Sequence, residues 1–389
     1  MSLFASPMMK LTLSLPLTFL KSRIRLLQRL RYTFSTPGRR RSYYTDNQKQ
    51  PKQQWQWQQQ PLAHRIPPRS WDSHMHVVED LQRYPIVANA AYKPSPHTLS
   101  QALAFEASVS IENVVLVQPS IYGTDNSCLL DALRKLGPAR ARGVVVIDPD
   151  TIQRETLAEW HTLGVRGVRV NLKSVGKVMS EDELAGTLVR HADIVRPFGW
   201  VVQLYVSLDT VTALERIVPR LGGVKVCLDH FGSPDLSLSP TNYNENVPLN
   251  PYSLSGFSSL VTLLRGGQTY VKLSAPYRLS KDPQMRDLRA IARELMRVAP
   301  DRLVFATDWP HTRFDGLDIR PFTESCLQWC AAVPGLAERL FRRNAEELWD
   351  VKESVEASIT TTTIKRPVWV RSELDYRIPS SETGLGVQG

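Results

Sequence analysis

The sequence predicts an α/β protein, a (β/α)8 TIM barrel with a disordered N-terminal leader and an irregular C-terminal tail. Three observations predict it. From Trp71 onward, short apolar runs alternate with amphipathic stretches of helical period, the pattern of βαβ units around a parallel sheet. Eight such pairs fit within about 280 residues, the number and size of a closed barrel. Residues 73–79 contain no glycine, so the first run lacks the phosphate-binding turn that an open doubly wound sheet would want.

The leader comes first. Residues 1–45 hold no acidic residue and many serines and threonines; Leu17, Leu20, Ile24 and Leu27 recur at helical spacing among Arg23, Arg25 and Arg29. A basic amphipathic helix of this kind is the composition of a mitochondrial transit peptide. A secretory signal fits less well, because Pro16 interrupts the apolar run and arginines follow it; an unprocessed cytoplasmic chain is the other alternative. Residues 46–66, including the string KQQWQWQQQP, are Gln-rich and poor in aliphatics, and read as a disordered linker. This front part carries the basic balance. Residues 1–71 hold 13 Lys and Arg against one acid, which leaves a net charge of −2 for 72–389. The overall charge of +10 is therefore no argument for a nucleic-acid partner. No segment is long and apolar enough to span a bilayer. The cysteines, Cys128, Cys227, Cys326 and Cys330, match neither a disulfide framework nor a zinc knuckle, which points to a reducing compartment.

The barrel is expected over 67–352. Its strands are read at 71–77, 113–119, 142–148, 166–172, 200–206, 224–231, 269–275 and 303–309. Helical patterns follow at 98–109, 125–136, 151–163, 181–196, 208–220, 255–265, 284–299 and 319–331. Residues 233–254 form a long Pro/Asn/Ser loop after the sixth strand, where barrel loops commonly act as lids. The tail, 353–389, lacks periodicity.

The chemistry begins in the first strand. Asp72-Ser73-His74-Met75-His76 places two imidazoles at i and i+2, on one face of a strand, and in a barrel that face is the interior. Two histidines there would be poor filler, since each ring N–H needs a partner. Other polar residues fall near the carboxyl ends of later strands: Arg169 in the fourth, Gln203 and Tyr205 in the fifth, His230 after the sixth. Tyr277 and Arg278 follow the seventh, Asp308 ends the eighth and His311 lies just beyond it. His74, His76, His230 and His311 thus converge on the rim where barrel active sites lie. His64, His97, His161 and His191 read as solvent-exposed. Convergence, not any single residue, makes the case.

An HxH on strand one, a His after strand six and an Asp on strand eight resemble the amidohydrolase superfamily. The strings VQPSIYGTDN, GVRGVRVNL, KLSAPYRLS and ATDWPHT are similar to its amidohydrolase-2 branch, which holds 2-pyrone-4,6-dicarboxylate lactonase and related sugar lactonases. The resemblance runs from about Trp71 to Val351. Binuclear members use a carboxylated Lys on strand four and a His on strand five. This chain offers Arg169 and Asn171 on the former and Gln203 and Tyr205 on the latter, so a binuclear site is not expected. The resemblance to the pyrone lactonase implies hydrolysis with no required metal, Asp308 as base, histidines for polarisation and arginines for substrate. The alternative is one Zn²⁺ held by His74, His76, His230 and Asp308.

The mechanism expected is attack on a lactone or ester carbonyl by a water that Asp308 deprotonates. His74, His76 and His230 would stabilise the oxyanion, while Arg169 and Arg278 grip a substrate carboxylate beside Tyr205, Tyr277 and His311. Dicarboxylate-binding members carry a further arginine after the strand-four Arg, where this chain runs Lys173-Ser174-Val175-Gly176. A small-molecule substrate with one carboxylate is therefore expected. Two other readings compete. One is a zinc decarboxylase of an aromatic or unsaturated acid, which would want the missing strand-five His. The other is a non-catalytic binding barrel, which would predict an eroded rim.

Overall fold

A computed structural model describes residues 60–237 and 248–351. Eight parallel strands run in sequence order around a single sheet: β1 Trp71–Met75, β2 Asn113–Val117, β3 Ala141–Val145, β4 Val165–Asn171, β5 Val201–Tyr205, β6 Val226–Leu228, β7 Thr269–Leu273 and β8 Leu303–Phe305. The last strand meets the first through a parallel Met75–Trp309 bridge, reinforced by His76 N donating to Trp309 O at 2.8 Å and Asp308 N to His74 O at 2.9 Å. The eight expected strands are all present. Eight helices follow them: α1 Leu99–Ser108, α2 Ser127–Leu136, α3 Arg154–Leu163, α4 Glu181–Val195, α5 Val211–Ile217, α6 Phe257–Arg265, α7 Arg286–Val298 and α8 Arg320–Cys330. Capping boxes start two of them, Thr98 with Gln101 at α1 and Ser180 with Glu183 at α4.

Several boundaries differ from expectation, each for a local reason. β6 and β8 stop early because His230 and Asp308 adopt left-handed backbone conformations, φ 51° and 63°, which end an extended strand and swing the side chain across the rim. The helix expected at 208–220 is broken into α5 flanked by tight turns at Leu208–Thr210 and Val218–Leu221, the second carrying Pro219. Pro276–Leu279 forms a single unanticipated helical turn, and it presents Tyr277 and Arg278. At the front, Leu62–Arg65 falls within the expected linker yet is a helical turn with Arg65 and Ile66 buried, so the folded body starts earlier. The leader 1–45, the linker up to 59, the tail 353–389 and residues 238–247 of the expected lid lie outside the described residues. Among the described residues no helix is long and apolar enough to cross a membrane.

Two apolar zones follow from the strand alternation. Residues facing outward pack against the helices. A smaller interior cluster, including Val115, Val144, Cys227 and Tyr270, fills the lower barrel with Ala345, Leu348 and Trp349 from the end of the fold. Trp349 is wholly buried; its Nε1 donates to Ser73 Oγ at 3.3 Å, and Arg142 Nε donates to its carbonyl at 3.1 Å.

A bulge in β1 decides which residues face the interior. The pairing with β2 shifts by one residue between Asp72 and Met75. Trp71 and Ser73 point into the lower barrel, and after the bulge His74 and His76 point into the upper barrel, while Asp72 and Met75 face away. Strict alternation would have set His74 on the face opposite Ser73.

The histidines expected in solvent are not all there. His191 is buried, with Nδ1 bonded to Thr187 O at 2.8 Å, because α4 turns it into the helix–sheet layer. His161 is half-buried and accepts a hydrogen bond from Trp200 Nε1 at 2.8 Å. His97, also half-buried, packs edge-on to Trp309. Only His64 is exposed among the four.

Candidate active site

Asp308 is the hub of the rim. Its Oδ1 faces three imidazole nitrogens, His74 Nε2 at 3.6 Å, His76 Nε2 at 3.8 Å and His230 Nε2 at 3.9 Å. Its Oδ2 accepts from Tyr277 OH at 2.7 Å and from Arg278 Nε at 2.8 Å. Burial by itself would push the Asp308 carboxyl up, but the imidazoles facing Oδ1, His230 foremost, and the Arg278 guanidinium hold it below the usual carboxylate range. It is a carboxylate at neutral pH, with one oxygen tied to protein donors and the other turned to the histidines.

Each imidazole is fixed from behind. His76 Nδ1 donates to Val117 O at 2.7 Å, which leaves the Nε2 lone pair aimed into the site. His230 Nδ1 lies 2.8 Å from Ser274 Oγ. His74 Nδ1 lies between Lys272 Nζ at 3.1 Å and Asp229 Oδ1 at 3.2 Å. Burial lowers the pKa of all three rings, that of His76 to about 4 with help from Arg169, so they are neutral. Asp72 braces the arrangement: its Oδ1 accepts from the amides of His74 and Thr307, both at 2.9 Å, and its Oδ2 from the Thr307 hydroxyl. One carboxylate therefore ties the HxH strand to the strand that carries Asp308.

Beneath the rim lies a charged layer whose centre, Asp229 and Lys272, is not among the expected site residues. Asp229 and Lys272 are both fully enclosed and 3.3 Å apart. Gln203 Nε2 donates to Asp229 Oδ2 at 3.1 Å, and Arg169 Nη2 lies 3.6 Å from it. Burial would raise Asp229, but Lys272, His74 and Arg169 hold it well below the usual range. A signal for this layer existed. Lys272 interrupts an apolar strand at an inward position, and a lysine is almost never fully buried unless paired.

The cavity above the hub has a volume of about 250 Å³. Its walls include Asp308, His76, His230 and Tyr205, with four cations, Arg169, Lys173, Arg278 and Arg313. Lys173 and Arg313 were not among the expected site residues; Arg313 stands 4.9 Å over the ring of Tyr92, which also lines the wall. Of the residues expected to touch substrate, Arg169, Arg278 and Tyr205 reach this cavity, although Arg278 also spends Nε on Asp308 and Nη2 on Thr312 O. Tyr277 and His311 stand behind Asp308 instead. Tyr277 bonds its carboxylate, and the buried His311 ring packs against Tyr277 and Phe105. The short helical turn at Pro276–Leu279 and the left-handed φ of His311, 59°, turn both side chains back into the protein.

Could the rim hold a metal ion? His74 Nε2 and His76 Nε2 are 3.3 Å apart, and the other gaps to Asp308 are 3.6–3.9 Å. A tetrahedral site with ~2.0 Å bonds has ligand–ligand edges of about 3.3 Å, so the spacing suits a small divalent cation. A ligand nitrogen must offer a lone pair, so the fit turns on which ring nitrogen of His74 carries its proton.

A parallel barrel with a carboxylate and three neutral imidazoles converging at its carboxyl-terminal rim is the constellation of a barrel hydrolase. The chain belongs to the amidohydrolase family, whose model matches residues 71–351. It is 30% identical over 256 residues to a 4-sulfomuconolactone hydrolase of Hydrogenophaga intermedia, covering 65% of this chain and 78% of that one. It is 28% identical over 258 residues to a 2-pyrone-4,6-dicarboxylate hydrolase of Comamonas testosteroni, covering 64% and 78%. A crystal structure from Pseudomonas putida, described as a 2-pyrone-4,6-dicarboxylic acid hydrolase, superposes with a TM-score of 0.59 at 30% identity, covering 73% of this chain and 98% of that one.

Proposed function

We propose that this protein hydrolyses the lactone or ester bond of a small acidic molecule without a metal ion. One observation carries the reading: a buried carboxylate with a free oxygen lies at the floor of a cavity walled by Arg169, Lys173, Arg278 and Arg313. Four cations against one lining carboxylate leave an excess of positive charge that a neutral substrate would not need. The lactone hydrolases it resembles act, by their names, on a sulfonated muconolactone and a pyrone dicarboxylate. The supply of cations also exceeds what one carboxylate requires. Lys173 lines the cavity in place of the arginine of the dicarboxylate-binding members, so a second anionic group is also accommodated.

The residues divide the work as follows. A water held by Asp308 Oδ1 attacks the carbonyl carbon and gives its proton to Asp308. His76 has no proton to offer the oxyanion, because its only one is committed to Val117 O. The oxyanion is met by His230 Nε2–H, the Tyr205 hydroxyl and Arg278. Collapse breaks the ring C–O bond, and the leaving alkoxide takes the proton back from Asp308, giving a hydroxy acid. Arg169, Lys173 and Arg313 hold the carboxylate.

The test is an assay of purified protein on 2-pyrone-4,6-dicarboxylate, 4-sulfomuconolactone and a neutral lactone of similar size, each with and without a chelator. The expected result is turnover of an acidic lactone that the chelator leaves unchanged. Loss of turnover restored by added Zn²⁺ would overturn the metal-free part. Turnover confined to the neutral lactone would overturn the substrate class.

A further inference from the structure

Lys272 is the least expected residue in the barrel: an ammonium with no exposure, in the middle of β7. Its surroundings account for each of its protons. Nζ lies 3.3 Å from Asp229 Oδ1, 3.1 Å from His74 Nδ1 and 5.5 Å from the centroid of the Trp349 ring. An ammonium donates three hydrogen bonds and accepts none, so His74 Nδ1 must accept if the second proton is to be satisfied. The other end of His74 asks for the same arrangement. His76 donates through Nδ1 to Val117 O, so its Nε2 bears a lone pair, and this faces His74 Nε2 at 3.3 Å. Only a proton on His74 Nε2 turns that contact into a hydrogen bond.

The opposite tautomer has one gain and two losses. With its proton on Nδ1, His74 would donate to Asp229 Oδ1 at 3.2 Å. That oxygen already has Lys272, and Asp229 Oδ2 has Gln203 and Arg169. In exchange, a Lys272 N–H would face an N–H, and two Nε2 lone pairs 3.3 Å apart would face each other with no proton between them, and unsatisfied buried polar groups are costly.

We infer that Lys272 locks His74 in the Nε2–H tautomer and thereby prevents a ligand set of metal spacing from taking up a zinc-type cation. The protein's hydrogen bonds run in one direction, Lys272 to His74 to His76 to Val117 O. Lys272 is thus a positioning residue: it acts on the site through His74. The inference supplies a cause for the metal-free part of the proposed function, but the tautomer does not depend on which bond is hydrolysed. A protein that opened no lactone at all would leave it intact.

Two measurements test it. In the full chain labelled with ¹⁵N-histidine, with His74 assigned from the spectrum of a His74→Asn variant, imidazole nitrogen shifts report which nitrogen carries the proton. The expected pattern is His74 protonated on Nε2 and His76 on Nδ1; a His74 protonated on Nδ1 overturns the inference. Equilibrium dialysis against Zn²⁺ alone then compares wild type with Lys272→Met and with Lys272→Met/Asp229→Asn. The double variant has the wild-type net charge, so a gain there cannot come from the lost cation. Its amide oxygen can accept from His74 Nδ1, releasing the Nε2 lone pair. Zinc affinity should rise by ~10-fold or more, the size of effect usual for a partner that orients a ligand. Equal affinity in a folded double variant would overturn the lock, and if neither variant folds, the wild-type spectrum decides.

Discussion

Asp308→Asn removes one proton acceptor and changes little else. The residue sits at φ 63°, a left-handed conformation that asparagine tolerates, so the backbone is kept. The amide oxygen can still accept from Tyr277 and Arg278, which reach Oδ2 at 2.7 and 2.8 Å, while the amide nitrogen takes the place of Oδ1 among the imidazoles. Hydrogen bonds to a charged group contribute ~1.5–3 kcal/mol and neutral ones ~0.5–1.5, so the exchange costs about 1–2 kcal/mol. For a folded body of this size that lowers Tm by roughly 2–6 °C. Loss of a general base is larger: kcat should fall ~10²–10⁴-fold, or ~3–5 kcal/mol in the barrier. Steady-state hydrolysis of an acidic lactone and a thermal melt on the same preparation separate the two effects. The pH dependence adds a check of sign. The folded pKa of Asp308 lies below the unfolded value of about 3.9, so its stabilisation is complete above that pH and is lost as pH falls through the folded value. The stability gap between wild type and variant should be level from pH 8 to about 5 and close in stronger acid. A variant that melts several degrees lower yet turns over substrate at nearly the wild-type rate would refute the mechanism and leave Asp308 a structural cap.

Two further outcomes follow from the same geometry. Arg278→Ala should lower kcat/KM on an acidic lactone ~10²-fold, the loss of a charge-assisted contact. It should also move the acid limb of the kcat/KM profile to higher pH, because a cation that holds Asp308 ionised is gone; an unmoved limb would detach Arg278 from the base. His311→Gln isolates one buried ring whose pKa burial lowers to about 4. The unfolded chain binds that proton near 6.5, so the wild-type stability due to neutral His311 is full above pH ~6.5 and shrinks as pH falls to ~4. Urea denaturation should show the wild-type-minus-variant difference falling by up to ~1.4 kcal/mol per pH unit across that window, and a flat difference would contradict it.

Much of the site was legible before the fold was known. The eight strands announced themselves as apolar runs between helical repeats, because each buries both faces of a parallel sheet. His74, His76, His230 and Asp308 stood out because polar side chains at strand ends of a barrel face one shared rim. Among the assignments that changed, Tyr277 and His311 lie in turns whose left-handed residues and short helix redirect side chains in a way no periodicity records, and His76 is no oxyanion donor because Val117 O takes its proton.

What the sequence by itself determined is the architecture and the inventory: a parallel barrel, three histidines and an aspartate at its rim, and arginines near them. These follow from hydrophobic period and strand position, which are local properties of the chain. Tertiary structure alone decided how those groups behave. The β1 bulge turns both Ser73 and His74 inward, although strict alternation would separate them. Lys272 and Asp229, 43 residues apart in sequence, meet beneath His74 and set where its proton lies. Arg278 reaches across to hold Asp308 ionised. The physical reason is that a proton position or a pKa is the sum of partners brought together from distant segments at 3 to 4 Å, and distances of that kind exist only once the barrel has closed.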